Sequence, residues 1–107
     1  IQTLFALSNV GTAHKWACTL TPRSDSTDSW ATTVNQTAKT DGNMADLTPH
    51  NTDVRAGLAN TFGFIEAADA AMSARDSNIH KAPPAGTTDG THFDSTRAAL
   101  IASLLTL

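Results

Sequence analysis

The chain has 107 residues, 40% hydrophobic and 16% charged, with a formal net charge of −3. That length suits one domain with a modest core. The acidic balance, with no basic cluster, speaks against a nucleic-acid partner, and no apolar run approaches the roughly 20 residues that cross a bilayer.

The low charged content fits a surface of Thr, Ser, Asn and Asp, as in secreted proteins, or a surface partly covered by another chain. A secreted or extracellular setting is slightly favoured, though the compartment stays open. IQTLFALSNVG has no basic n-region and is not expected to be a signal peptide. Because the first residue is Ile1, we expect a processed or trimmed chain, or part of a longer one. Cys18 is the only cysteine, which excludes an internal disulfide framework.

In chain order, Ile1, Leu4, Phe5 and Leu7 stand at near-helical spacing and predict a helix end closed by Gly11. In HKWACTLTP, Trp16, Cys18 and Leu20 alternate with Ala17 and Thr19 until Pro22, which predicts a strand. The polar stretch from Arg23 to Met44 predicts a long loop with a short helical turn near Trp30. Such segments are usually functional or disordered. Trp30 is expected to pack on something, as a cleft wall or as a plain loop anchor.

Asn51 then predicts a helix N-cap, with Asp53 in the first turn and Gly63 as the stop. Val54, Leu58 and Phe62 form one stripe along that helix. Phe64, Ile65, Ala67 and Ala68 predict a second strand, buried on both faces. Met72 to Gly86 reads as loop, with Pro83 and Pro84. Asp94 or Ser95 caps a last helix carrying Leu100, Ile101, Leu104 and Leu105 on one face. This alternation implies an α/β class with a parallel sheet flanked by helices. Two strands make a poor sheet, so residues 1–107, with no internal boundary, read as one side of a larger doubly wound domain.

The stretch that carries chemistry is Asp89-Gly90-Thr91-His92, at the mouth of the last helix. A carboxylate there can accept a hydrogen bond from one imidazole nitrogen and fix the tautomer. The other nitrogen then faces outward as a general base. The same spacing also suits a simple turn that caps a helix beside a surface histidine.

Other candidates are weaker. His14 and Cys18 offer two metal-type ligands, but in a strand such positions stand roughly 13 Å apart, so Cys18 reads as a buried structural thiol and no metal is expected. His50 and His80 read as surface histidines in a turn and a loop. Glu66 and Asp69 could form a glycosidase-type pair, which needs about 5 to 10 Å at a cleft, but read as polar groups at a strand end. Arg23 and Arg75 read as solvated surface charges.

DGTHFDSTRAALIASLL resembles the last sequence block of the SGNH (GDSL-type) hydrolases, in which a D-x-x-H turn supplies the acid and base of a Ser-His-Asp triad. Upstream, ACTLTPRSDSTDSW is similar to the family's fourth strand and the loop after it, with its T-x-x-P-R edge. HNTDVRAGLANTFGFIEAADAA resembles the N-x-x-I/V-R helix leading into the fifth strand, and KAPPAGTTDGTH the approach to the triad turn.

The resemblance implies a flavodoxin-like three-layer sandwich, of which this chain is the C-terminal part. It implies an esterase acting on acyl esters, among them O-acetylated carbohydrate, without a cofactor. Asp89 would be the orienting acid and His92 the base. The family's Gly-Asp-Ser block, with its nucleophile, and its two oxyanion-hole blocks are absent; LSNVG follows a helix and is no substitute. The serine is therefore expected from a missing N-terminal segment or a second polypeptide, and this chain alone is expected to be inert. The alternative is a non-catalytic structural or binding protein, such as a virion or secreted surface component with half of such a fold.

Overall fold

A computed structural model describes residues 15–83 and 85–104. The expected opening helix, His14 and Leu105 lie outside the described residues.

Strand β1 (Trp16–Cys18) runs parallel to a strand far along the chain, β4 (Gly63–Ile65), with Trp16 opposite Gly63 and Cys18 opposite Ile65. Alternation along β1 sends Ala17 into a small cluster with Val54 and Leu58. The Trp16 indole lies over Gly63, where an added Cβ would come within 3.1 Å of the ring. Trp16 also meets Phe62 edge-on, with centroids 5.1 Å apart.

Between the paired strands lie a hairpin and a helix. The hairpin joins β2 (Ser24–Ser26) to β3 (Gln36–Ala38) in antiparallel register. It replaces the loop and helical turn expected there. The strand residues are Ser-Asp-Ser and Gln-Thr-Ala, with no apolar alternation to announce a strand, and tertiary hydrogen bonds decide the conformation.

Helix α1 (Leu47–Ala56) begins after a short 3-10 turn, Met44–Asp46, and stops at Gly57, which takes φ 91°. Asn51 is therefore an interior helical residue, Asp53 lies beyond the first turn, and Gly63 belongs to β4. The buried helical residues are Leu47, Asn51 and Val54; Leu58 is buried just past the helix end, whereas Phe62 is 63% exposed. Asn51 can face inward because its amide brackets the backbone just past β1. Its Oδ1 accepts from the Leu20 N–H at 2.6 Å, and its Nδ2 donates to the Leu20 carbonyl at 3.2 Å. A residue type suited to capping has been used to close the end of a strand.

The second apolar run divides. Only Gly63–Ile65 is strand, and Phe64 remains exposed, so β4 is not buried on both faces. Ala67 and Ala68 open helix α2 (Ala67–Ala71), where the Glu66 carboxylate accepts from the Asp69 N–H at 3.2 Å. Alanine favours helix strongly, and the acid at the N-terminus complements its exposed N–H groups. Ala68 and Met72 close a second cluster against Leu47.

Helix α3 (Ser95–Ala102) is capped by Asp94, whose side chain accepts from the Arg97 N–H at 2.8 Å. It packs against α2. Its contact to α2 runs through the buried Arg97, whose guanidinium donates to the Ala70 carbonyl at 2.7 Å. The apolar face of the helix is largely open: Leu100 is 46% and Leu104 40% exposed, and Ile101 is half-buried. The described residues thus form a small α/β arrangement around a parallel strand pair. No helix among them is long and apolar enough to cross a membrane.

Candidate active site

The turn from Thr87 to Phe93 is built from its own side chains. Thr87 and Phe93 form an antiparallel bridge, and the Asp94 N–H donates to the Gly86 carbonyl at 2.8 Å. The Thr87 hydroxyl donates to the His92 carbonyl at 2.7 Å and accepts from the Gly90 N–H at 3.0 Å. The Asp89 Oδ1 accepts from the N–H groups of Thr91 (2.9 Å) and His92 (2.8 Å). Short polar residues make such turns because their side chains take up backbone N–H groups locally.

With Oδ1 so occupied, Oδ2 points at the imidazole, and His92 Nδ1 lies 2.7 Å away. A carboxylate can only accept, so Nδ1 carries the proton and neutral His92 keeps its lone pair on Nε2. Nε2 makes no hydrogen bond among the described residues, and the His92 side chain is 84% exposed. The imidazole beside Asp89, followed by the His92 and Thr91 N–H groups, holds the Asp89 pKa far below the ordinary carboxylate range. Asp89 is therefore a permanent anion at neutral pH, suited to orienting an imidazole and stabilising its cation.

The turn is fastened to the body at Gly90, which takes φ 71° and is buried. Its carbonyl accepts from the Ser24 N–H at 3.0 Å, and a Cβ at this position would collide with the Ser24 carbonyl and the Trp30 ring. Trp30 thus packs on the turn, and its Nε1 donates to Ser24 Oγ at 3.1 Å. Ser24 opens the hairpin a few residues beyond the carboxyl end of β1. That is the end at which open α/β sheets gather their ligand-binding loops.

His80 is fully buried, against the expectation of a surface histidine. Its Nε2 lies 3.2 Å from the Gly90 carbonyl, and its ring meets Phe93 edge-on. Burial pushes its pKa down, partly opposed by the bond to Gly90. Nothing in the sequence pattern marked it, because Ile79-His80-Lys81 lies in a stretch with no periodicity. His50 sits in α1, half-buried, with Nε2 3.1 Å from the Cys18 carbonyl. Cys18 is exposed and not structural filler, and desolvation of the thiol pushes its pKa up, away from the thiolate a nucleophile needs.

Glu66 and Asp69 do not face a cleft as a catalytic pair. Arg55 donates to Glu66 at 2.7 and 3.0 Å, to Asp76 at 2.8 Å and to Asp69 at 3.2 Å, and Arg75 also pairs with Asp69. Burial opposes ionisation of Glu66 and Asp76, but hydrogen bonds from Arg55, Asn51, Thr19 and the backbone prevail, so both pKa values are lowered. Arg23 is half-buried and paired with Asp41 at 3.5 Å. Among the described residues, no three His, Cys, Asp or Glu side chains converge to hold a metal ion.

Comparison with known protein families, with curated proteins and with solved structures gives no match to this chain.

Proposed function

We propose that the chain is the C-terminal portion of an SGNH-type serine esterase with a flavodoxin-like sandwich. In this reading Asp89 and His92 are two members of a Ser-His-Asp triad. The observation that carries it is the 2.7 Å contact between Asp89 Oδ2 and His92 Nδ1, which leaves Nε2 without a partner among the described residues. His92 Nε2 takes the proton of a serine hydroxyl as that oxygen attacks an acyl carbonyl, and later delivers it to the leaving alcohol. Asp89 stabilises the imidazolium in between. The serine and the oxyanion donors come from a preceding segment of the same product or from a second polypeptide. The substrate is an acyl ester, with O-acetylated carbohydrate as one instance.

The test is hydrolysis of p-nitrophenyl acetate by a preparation that includes the serine-bearing segment. His92→Ala and Asp89→Asn each lower kcat by about 10³-fold or more, while this chain alone gives only background. A His92→Ala preparation as fast as wild type sinks the reading. The alternative, a non-catalytic structural or binding component, has in its favour the exposed Phe62, Leu100 and Leu104. An intact assembly that hydrolyses no ester and takes up no serine-directed probe would favour it.

A further inference from the structure

Resting on that reading of Asp89 and His92, we infer that buried His80 is the positioning residue of the dyad, acting through the Gly90 carbonyl. Gly90 is one residue from Asp89 and two from His92, so its peptide fixes where both side chains start. Its carbonyl receives two donors from different parts of the chain, the Ser24 N–H at 3.0 Å and His80 Nε2 at 3.2 Å. A carbonyl only accepts, so His80 is the Nε2–H tautomer. Its Nδ1 is buried, has no hydrogen-bond partner among the described residues, and is a bare acceptor.

His80 is itself held at three points. Gln36 Oε1 accepts from the His80 N–H at 2.9 Å, Gln36 Nε2 donates to the His80 carbonyl at 3.0 Å, and the ring edge meets Phe93. The same Gln36 Oε1 accepts from Ser24 Oγ at 2.9 Å, and Ser24 Oγ accepts from Trp30 Nε1. Buried Gln36, Ser24 and His80, with half-buried Trp30, thus form one frame with the Gly90 peptide at its centre. The two histidines carry opposite tautomers: His80 presents Nε2–H inward to the turn, and His92 presents a bare Nε2 outward. A frame of this kind matters to chemistry because misplacement of a base by about 1 Å can cost about 100-fold in rate.

The test is long-range 15N–1H NMR of the histidines at neutral pH, which reads the tautomer of each ring without any turnover. Wild type should show His80 as Nε2–H and His92 mainly as Nδ1–H. In His80→Phe, which keeps the ring and loses the donor, the Nδ1–H share of His92 falls by about half as the Asp89 bond loosens. In His80→Gln, whose amide reaches the same carbonyl, it is retained, although both variants melt lower. If His80→Phe does not fold, His80→Asn takes its place, since its shorter amide cannot reach Gly90.

A folded His80→Phe or His80→Asn with an unchanged His92 tautomer overturns the assignment, as does wild-type His80 found as Nδ1–H. A wild-type His92 found mainly as Nε2–H overturns it together with the dyad. Because the readout needs no hydrolysis, a chain inert toward every ester still supports the positioning role by showing the expected pattern.

Discussion

Two charged clusters in this molecule use the same kinds of group and end in opposite states. Around Arg55, four guanidinium-to-carboxylate contacts tie α1 to Glu66, Asp69 and Asp76, and Asn51 adds a bond to Asp76 at 2.8 Å. These contacts span long sequence separations and leave little donor capacity unspent. At the last turn, Asp89 and His92 are three residues apart, both exposed, and the outward ring nitrogen has no partner among the described residues. A saturated cluster holds a fold together, whereas a cluster with one unspent, oriented lone pair can act on something else. Charge density alone would have ranked the Arg55 cluster first.

Substitutions should separate the two, and the largest effect is expected at Gly90. Gly90→Ala places a methyl group against the Ser24 carbonyl and the Trp30 ring at φ 71°. Overpacking and left-handed strain together should cost about 3 kcal/mol or more, read as a lower denaturant midpoint. Arg55→Met is next: it strips Glu66 and Asp76 of their hydrogen-bonded guanidinium, and is expected to cost about 2 kcal/mol, with no effect on any esterase activity of the folded fraction. Asn51→Ala unpairs the Leu20 N–H and carbonyl and should cost about 1 to 2 kcal/mol. Asp89→Asn reverses the pattern. It leaves the melting temperature nearly unchanged and removes the orientation of His92.

The pH dependence sharpens the same contrast. Glu66 and Asp76 have lowered pKa values. Their contribution to stability is therefore present above their unfolded values, about 4, and is lost as pH falls through the folded ones. His80 also has a lowered pKa, with Arg97 and Asp89 the charged groups that act on it. Below its unfolded value of about 6.5 the unfolded chain binds the extra proton. Stability should therefore begin to fall from there downward, before the carboxylates titrate. His80→Gln should remove that first decline and leave the second.

The parallel pairing of the Trp16 and Phe64 segments was legible because alternation and a β-rich apolar run mark strands directly. So was the start of the last helix at Asp94 or Ser95, of which Asp94 is the cap, because capping chemistry is local. The Asp89–His92 contact could be read for the same reason, since all the groups that form the turn lie within a few residues. The hairpin was not legible, because Ser24–Ser26 and Gln36–Ala38 hold no apolar pattern and are anchored through polar side chains. Asn51 and His80 misled for a related reason. Both are polar residues whose inward orientation depends on partners far along the chain, Leu20 at one and Gln36 and Gly90 at the other. A pattern of residue types records periodicity and local turns, but not which distant carbonyl a buried polar side chain will meet.

The central claim is that His92, oriented by Asp89, activates a serine supplied by the rest of the assembly. Labelling of the intact preparation with a fluorophosphonate probe tests it most directly. The account predicts one labelled serine, with labelling strongly slowed in Asp89→Asn and abolished in His92→Ala although both variants stay folded. Labelling that proceeds at the wild-type rate in His92→Ala would contradict it.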